Sequence, residues 1–165
     1  MLIFDNAALV TLAGLDGVTS ATSEVQIQNN TSLTSLSGLN ALTSMGSFRL
    51  MSNPKLVNLT GLESLSYVGD DDSTTGFAIS GNDSLVSVDG LTSLASMNAY
   101  LTLQGNDALA SLRGFAPLTT INGFFAIMNN PVLATCEVAW LHDRLTGITD
   151  LDVSEGNDDA GVCAP

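Results

Sequence analysis

Two hydrophobic rhythms alternate along the chain. From Val25 to Ser47 it reads VQIQNNTSLTSLSGLNALTSMGS. Val25 and Ile27 alternate with Gln26 and Gln28, the two-residue period of a β-strand. Asn30 follows, and then Leu33, Leu36, Leu39, Leu42 and Met45 come at every third position. A three-residue step can suggest a helix. Gly38 in mid-run, the Ser and Thr between the leucines and the lack of strong helix formers oppose one. The run is therefore expected to form short extended segments joined by tight turns, with each third residue pointing inward.

The same unit recurs. Phe48/Leu50, Phe77/Ile79, Leu101/Leu103 and Phe125/Ile127 repeat the strand pair. Leu56, Leu59, Leu62, Leu65 and Val68 repeat the triplet row, as do Leu85, Val88, Leu91, Leu94 and Met97, and Leu109, Leu112, Phe115, Leu118 and Ile121. The first copy is shorter: Ile3, Leu9, Leu12, Leu15 and Val18. Between strand and leucines stand Asn6, Asn30, Asn53, Asn82, Asn106 and Asn130, separated by 24, 23, 29, 24 and 24 residues. A repeat of this length that opens with a strand predicts a mainly all-β protein, a parallel β-solenoid of about six coils. The coils fall near 1–24, 25–47, 48–76, 77–99, 100–123 and 124–135, with a cap of the same domain over 136–165. At a strand spacing of about 4.8 Å the column would be roughly 25–30 Å long. Gly14, Gly38, Gly61, Gly90 and Gly114 share one repeat position, where a glycine-only conformation is expected. Each asparagine is expected at a buried corner, its amide satisfying backbone groups and bonding to its copies as a ladder. The sequences Asn29-Asn30-Thr31, Asn30-Thr31-Ser32, Asn58-Leu59-Thr60 and Asn82-Asp83-Ser84 fit a glycosylation pattern, but ladder and turn positions account for these asparagines.

The repeat breaks in two places. Gly69-Asp70-Asp71-Asp72-Ser73-Thr74-Thr75-Gly76 is an insertion that reads as a solvated loop. Asp70, Asp71 and Asp72 offer a weak calcium possibility, with neither EF-hand nor nonapeptide spacing; no other metal or cofactor is indicated. After Leu133, residues Glu137 to Leu145 predict a short helix with Val138, Leu141 and Leu145 on one face and Gly147 beyond its end. Leu151 and Val153 then suggest one more strand. Cys136 and Cys163 enclose about 27 residues, and a disulfide there would constrain the unfolded chain by roughly 3 kcal/mol. That pairing, and with it an extracellular or cell-surface location, is the favoured reading; two reduced thiols are the alternative.

Charge narrows the partners. Seventeen acidic and 4 basic residues in 165 give a formal net charge of −13. Nucleic acid and anionic membrane surfaces are poor partners for such a chain. No apolar run has the length of a membrane span. Met1 runs straight into Leu2-Ile3-Phe4 without a signal peptide's pattern, so a removed signal or a place inside a longer protein is expected. His142 is the single histidine, no hydrolase, dinucleotide or P-loop motif stands in the right context, and no enzymatic activity is expected. Trp140 is expected to cover the end of the core.

The recurrent L-x-I-x-x-N-x-x-L-x-x-L-x-G-L-x-x-L pattern resembles receptor L domains, the leucine-rich-repeat-like right-handed β-helices of growth-factor receptors. It is most similar to bacterial surface proteins with serial N-x-x-L-x-S-L-x-G-L repeats, which end in a Cys-containing helix and a G-N…C tail. The resemblance implies a right-handed helix and a Cys136–Cys163 clasp on the cap. The cysteine-rich modules that flank receptor L domains are missing, so growth-factor binding is not implied.

Function is sought on the outward strand positions. One row reads Phe4, Gln28, Met51, Ser80, Gln104, Met128, and its neighbour Leu2, Gln26, Arg49, Ala78, Thr102, Ala126. Only Arg49 is charged. Gln26, Gln28, Arg49, Met51, Ser80, Thr102, Gln104 and Met128 are the candidate binding residues, for protein or carbohydrate at a cell surface. The alternative is a structural subunit that stacks end to end on other copies of itself through an uncapped first coil. A lesser alternative is ice binding through the row Thr19, Thr43, Ser66, Ala95, Thr119.

Overall fold

The computed structural model describes residues 1–69 and 76–163, with the backbone alone over 150–153. Asp70–Asp72 and the calcium expectation attached to them lie outside the described residues. The described elements are β1 (Leu2–Phe4), β2 (Ser20–Gln28), β3 (Ser44–Met51), β4 (Tyr67–Gly69), β5 (Gly76–Ser80), β6 (Ser96–Asn98), β7 (Tyr100–Gln104), β8 (Thr120–Met128), α1 (Thr135–His142) and β9 (Thr146–Val153), with a 3-10 turn at Arg113–Phe115. The chain is a parallel β-solenoid of about six turns, with one helix near its C-terminal end.

Every strand pairs with its counterpart one coil away, and all pairings are parallel. On one side β1, β2, β3, β5, β7 and β8 stack in register, so that Ile3, Ile27, Leu50, Ile79, Leu103 and Ile127 form one inward row. On the next side the first halves of β2, β3 and β8 stack with β4 and β6, lining up Ser20, Ser44, Tyr67, Ser96 and Thr120. β2, β3 and β8 serve both sides by bending at a corner, and the register of β2 on β3 shifts there between Ala21 and Glu24. The triplet rows turn inward as their spacing predicts: Leu33, Leu36, Leu39 and Leu42 are fully buried, as are their copies in the next three coils. Phe48 packs on Phe77 at 5.1 Å between ring centroids, and Phe77 meets Phe115 edge-on at 5.9 Å. Burial of each such side chain contributes on the order of 1.5–3 kcal/mol, and only stacking makes the burial complete.

The asparagine ladder forms, with a seventh rung. Asn6 Nδ2 donates to Asn30 Oδ1 at 3.2 Å, and the same bond links Asn30 to Asn53, Asn53 to Asn82, Asn82 to Asn106, and Asn106 to Asn130 at 3.2–3.3 Å. Each backbone N–H in the series donates to that same oxygen. Asn130 then donates to Asn157 Oδ1 by both groups. The cap region therefore carries one more rung, and β9 pairs parallel with β8. The residue before each rung is left-handed: Asp5, Asn29, Ser52 and Asn129 have φ of 54–57°, and Gly81, Gly105 and Gly156 have φ of 62–68°. That turn swings the chain from the strand into the corner, where the amide is enclosed.

The shared glycine position is held by backbone conformation and by close approach to the preceding coil, and its last member keeps only the second. Gly14, Gly38, Gly61 and Gly90 have φ of +105° to +117°. Gly114 lies in the 3-10 turn and is not left-handed, which corrects the expectation of one conformation for all five. Its close approach is what excludes a side chain: a Cβ there would stand 2.1 Å from Val88 O.

The C-terminal end is built separately. α1 spans Thr135–His142, beginning and ending earlier than the 137–145 expected from pattern, and Val138, Leu141 and Leu145 are buried as expected. The Glu137 carboxylate, nearly fully buried, accepts from Leu112 N–H at 3.2 Å and from Arg113 Nε and Nη2 at 2.9 and 2.7 Å. Arg113 and Arg144 both lie over the Trp140 ring, at 4.2 and 4.8 Å from its centroid. His142 packs edge-on against Phe125. Cys136 and Cys163 form a disulfide, and Asp158 exchanges backbone bonds with Leu133 and Thr135, so the tail is tied back beside the helix.

Candidate binding face

The outward positions of the first side form two continuous rows. Register places Phe4, Gln28, Met51, Ser80, Gln104 and Met128 side by side, and likewise Leu2, Gln26, Arg49, Ala78, Thr102 and Ala126. All eight candidate residues thus lie on one sheet surface. Six of them are half-buried by their neighbours, while Arg49 and Gln104 are exposed. The one charge is answered locally, since Arg49 Nε pairs with Glu24 Oε1 at 3.0 Å. Gln26 Nε2 donates to Gln28 Oε1 at 2.7 Å, which fixes two amides across the surface. A face without net charge thus sits on a chain of formal charge −13.

A further feature of this face is absent from the sequence reading. Tyr100 and Phe124, on the outward side of β7 and β8, stack at 4.5 Å between centroids with 7° between planes. The Tyr100 ring lies over Gly76, where a Cβ would meet ring carbon Cζ at 2.0 Å. The aromatic pair adjoins Thr102 and Ala126 along the strands, adding an apolar border to an amide- and methionine-bearing surface. The signal lay in the strand period: Tyr100 and Phe124 are each two residues before a row member and 24 apart.

The neighbouring hydroxyl row is aligned too, but the hydroxyls of Thr43, Ser66 and Thr119 are engaged. Thr43 Oγ1 donates to Thr19 O at 2.9 Å, Ser66 Oγ to Thr43 O at 3.1 Å and Thr119 Oγ1 to Ala95 O at 3.3 Å. These hydroxyls support the stack, which leaves fewer donors for an ice lattice. Of the asparagines in glycosylation-like sequences, Asn30 and Asn82 are fully buried rungs, and Asn58 Oδ1 accepts from Thr60 N–H in a turn.

Among the described residues no group of three or more His, Cys, Asp or Glu is placed to hold a metal ion, and no helix is long and apolar enough to cross a membrane. The class defined by these observations is a disulfide-tied parallel β-solenoid with an internal asparagine ladder. No family model, curated protein or solved structure matches the chain.

Proposed function

We propose that the chain is a non-catalytic recognition or adhesion module of the extracellular or cell-surface environment, resembling receptor L domains, which contacts protein or carbohydrate through the outer face of its first sheet side. The observation that carries this reading is the neutrality of that face against the charge of the whole. Sheet surfaces disfavour Asp and Glu to a degree. Two rows crossing six coils with one charge, itself paired to Glu24, go further. Amides and hydroxyls on a rigid strand lattice offer donors and acceptors at fixed spacing, and Met51, Met128 and the Tyr100–Phe124 pair add adaptable and flat apolar contact. The Cys136–Cys163 disulfide suits an oxidising compartment.

The test is a binding screen on immobilised neutral glycans and on cell-surface protein preparations, using the parent chain and Gln28→Glu/Gln104→Glu. The reading expects binding by the parent and its loss in the variant. Binding that survives in the variant would remove the face from consideration. The second reading, a subunit that stacks end to end, is favoured by one specific observation: the inward Ile3, Leu9, Leu15 and Val18 of coil 1 are only partly buried.

A further inference from the structure

Across the first side of the solenoid, side-chain size is divided by coil. In the row that begins at Leu2, the large members Leu2, Gln26 and Arg49 stand in coils 1–3, and the small members Ala78, Thr102 and Ala126 stand in coils 4–6. The companion row reads alike from either end. Phe4 and Met128 are outermost, Gln28 and Gln104 come next, and Met51 and Ser80 meet at the centre.

Both patterns belong to a surface that fits its own copy. A two-fold axis parallel to the strands, between coils 3 and 4, lays two copies face to face with their coil order reversed. Coil 1 of one copy then stands over coil 6 of the other, coil 2 over coil 5, and coil 3 over coil 4. Every large member of the Leu2 row comes opposite a small one: Leu2 on Ala126, Gln26 on Thr102, Arg49 on Ala78. Gln28 of each copy meets Gln104 of the other, an amide pair with donor and acceptor on both sides. The carboxylates that border the face, Asp5 and Glu24, come opposite Asn129 and Tyr100, so among the described residues no acid of the face meets an acid. A two-fold axis along the column would keep coil order instead. It sets Gln26 on Gln28 and Arg49 on Met51, but Ala78 on Ser80, so bulk meets bulk in one half and a gap opens in the other.

We infer that this face binds a second copy of the chain in the coil-reversed arrangement, an assignment that rests on the contact-face reading above and names its partner. Charge favours the same approach. Each copy has a formal net charge of −13, and two such chains meet with little repulsion through a sheet surface whose one charge is already paired with Glu24. The face spans about 16 Å along the strands and roughly 25–30 Å along the column, which gives about 400–500 Å² per copy. A standard stable interface uses about 800 Å² per partner. The pair is therefore weak and exchanging, with a Kd of about 0.1–1 mM. Such a strength serves contact between arrays of copies, where many weak pairs add.

Sedimentation equilibrium from about 10 μM to about 2 mM reads the association in the parent and in two double variants, with thermal melting at low concentration as the check that each variant folds. Gln28→Lys/Gln104→Glu keeps the net charge and sets the new cation of each copy against the new carboxylate of the other, so association should tighten by about 10-fold or more. Gln28→Glu/Gln104→Glu sets carboxylate against carboxylate, so association should weaken by about 10-fold or more. In the arrangement that keeps coil order the new cation faces Gln26 and the new carboxylate faces Thr102, and no tightening results. A parent that stays monomeric to about 2 mM would overturn the inference, as would shifts of the same sign in both variants, no shift in either, or growth beyond a dimer. A monomeric parent that still binds in the glycan and protein screen removes only the second copy as partner and leaves the contact face in place.

Discussion

The two ends of the solenoid solve the same problem differently. Any stack of coils ends in a coil whose core is covered on one side only. At the C-terminal end the chain spends residues on a cover: α1 lies across the leucine rows, Glu137 satisfies the Leu112 N–H, Trp140 is flanked by two guanidiniums, Asn157 closes the ladder, and a disulfide ties the tail down. At the N-terminal end Ile3, Leu9, Leu15 and Val18 are only partly buried, although the same positions in later coils are fully enclosed. Coil 1 carries the same inward positions as coils 2 to 5, which lie between two neighbours and are buried. Stability in this fold therefore comes from having neighbours on both sides, more than from what a coil itself contains.

Substitutions can break this contrast, beginning with the ladder. Asn82 donates to Leu50 O and Ser80 O at 3.0 Å and accepts two bonds from Asn53. Asn82→Ala strands several buried groups and should cost about 3–5 kcal/mol, whereas Asn6→Ala should cost less than about 1 kcal/mol. Equilibrium urea unfolding of the two variants gives the comparison directly, and equal losses would mean that end and middle do not differ as described.

The cover should be the next most sensitive feature. Cys163→Ser opens a loop with a sequence separation of 27 and should cost about 2–4 kcal/mol. Exchange protection should fall first in α1 and β9, with the middle coils following only at higher denaturant. Glu137→Ala removes the acceptor of both Leu112 N–H and Arg113, and because Arg113 keeps partial solvent access the expected loss is about 1–3 kcal/mol. A double-mutant cycle with Arg113→Ala should return a coupling of about 1 kcal/mol or more. The smallest effect on stability is expected on the outer face: Gln28→Glu/Gln104→Glu should stay within about 0.5 kcal/mol of the parent. A thermal melt that moves by more would mean that the face is structural, and its loss of binding would need another explanation.

Much of the fold was legible because solenoid geometry converts directly into period. Alternation at Val25–Gln28 and triplets from Leu33 to Met45 each correspond to one side chain direction, and copies align without knowledge of tertiary contacts. The six asparagines followed from the same alignment, whereas the cap disulfide was expected from the two cysteines and from the resemblance. Asn157 escaped because no leucine row follows it; Gly156 and Asp158 beside it read as a tail, and only the β9–β8 pairing reveals a rung. The Glu137–Arg113 contact joins equivalent positions 24 apart, but Ser37, Thr60 and Asp89 hold that position in earlier coils, so no repeated residue type signals it. Ser52, left-handed at φ 54°, is a residue type that gives no hint of that conformation. The candidate face was readable as two rows of residue types, while the Glu24 partner that neutralises Arg49 became apparent only when the corner of β2 and β3 was in place.

Native-state hydrogen exchange across the whole chain tests the central claim most directly. A column with one open and one covered end should show protection rising from the Leu2–Phe4 strand through coils 2 and 3, and then staying high through β8 and α1. Protection that is uniform from the first strand onward, or that falls toward α1 while β1 stays protected, would contradict this account of the two ends.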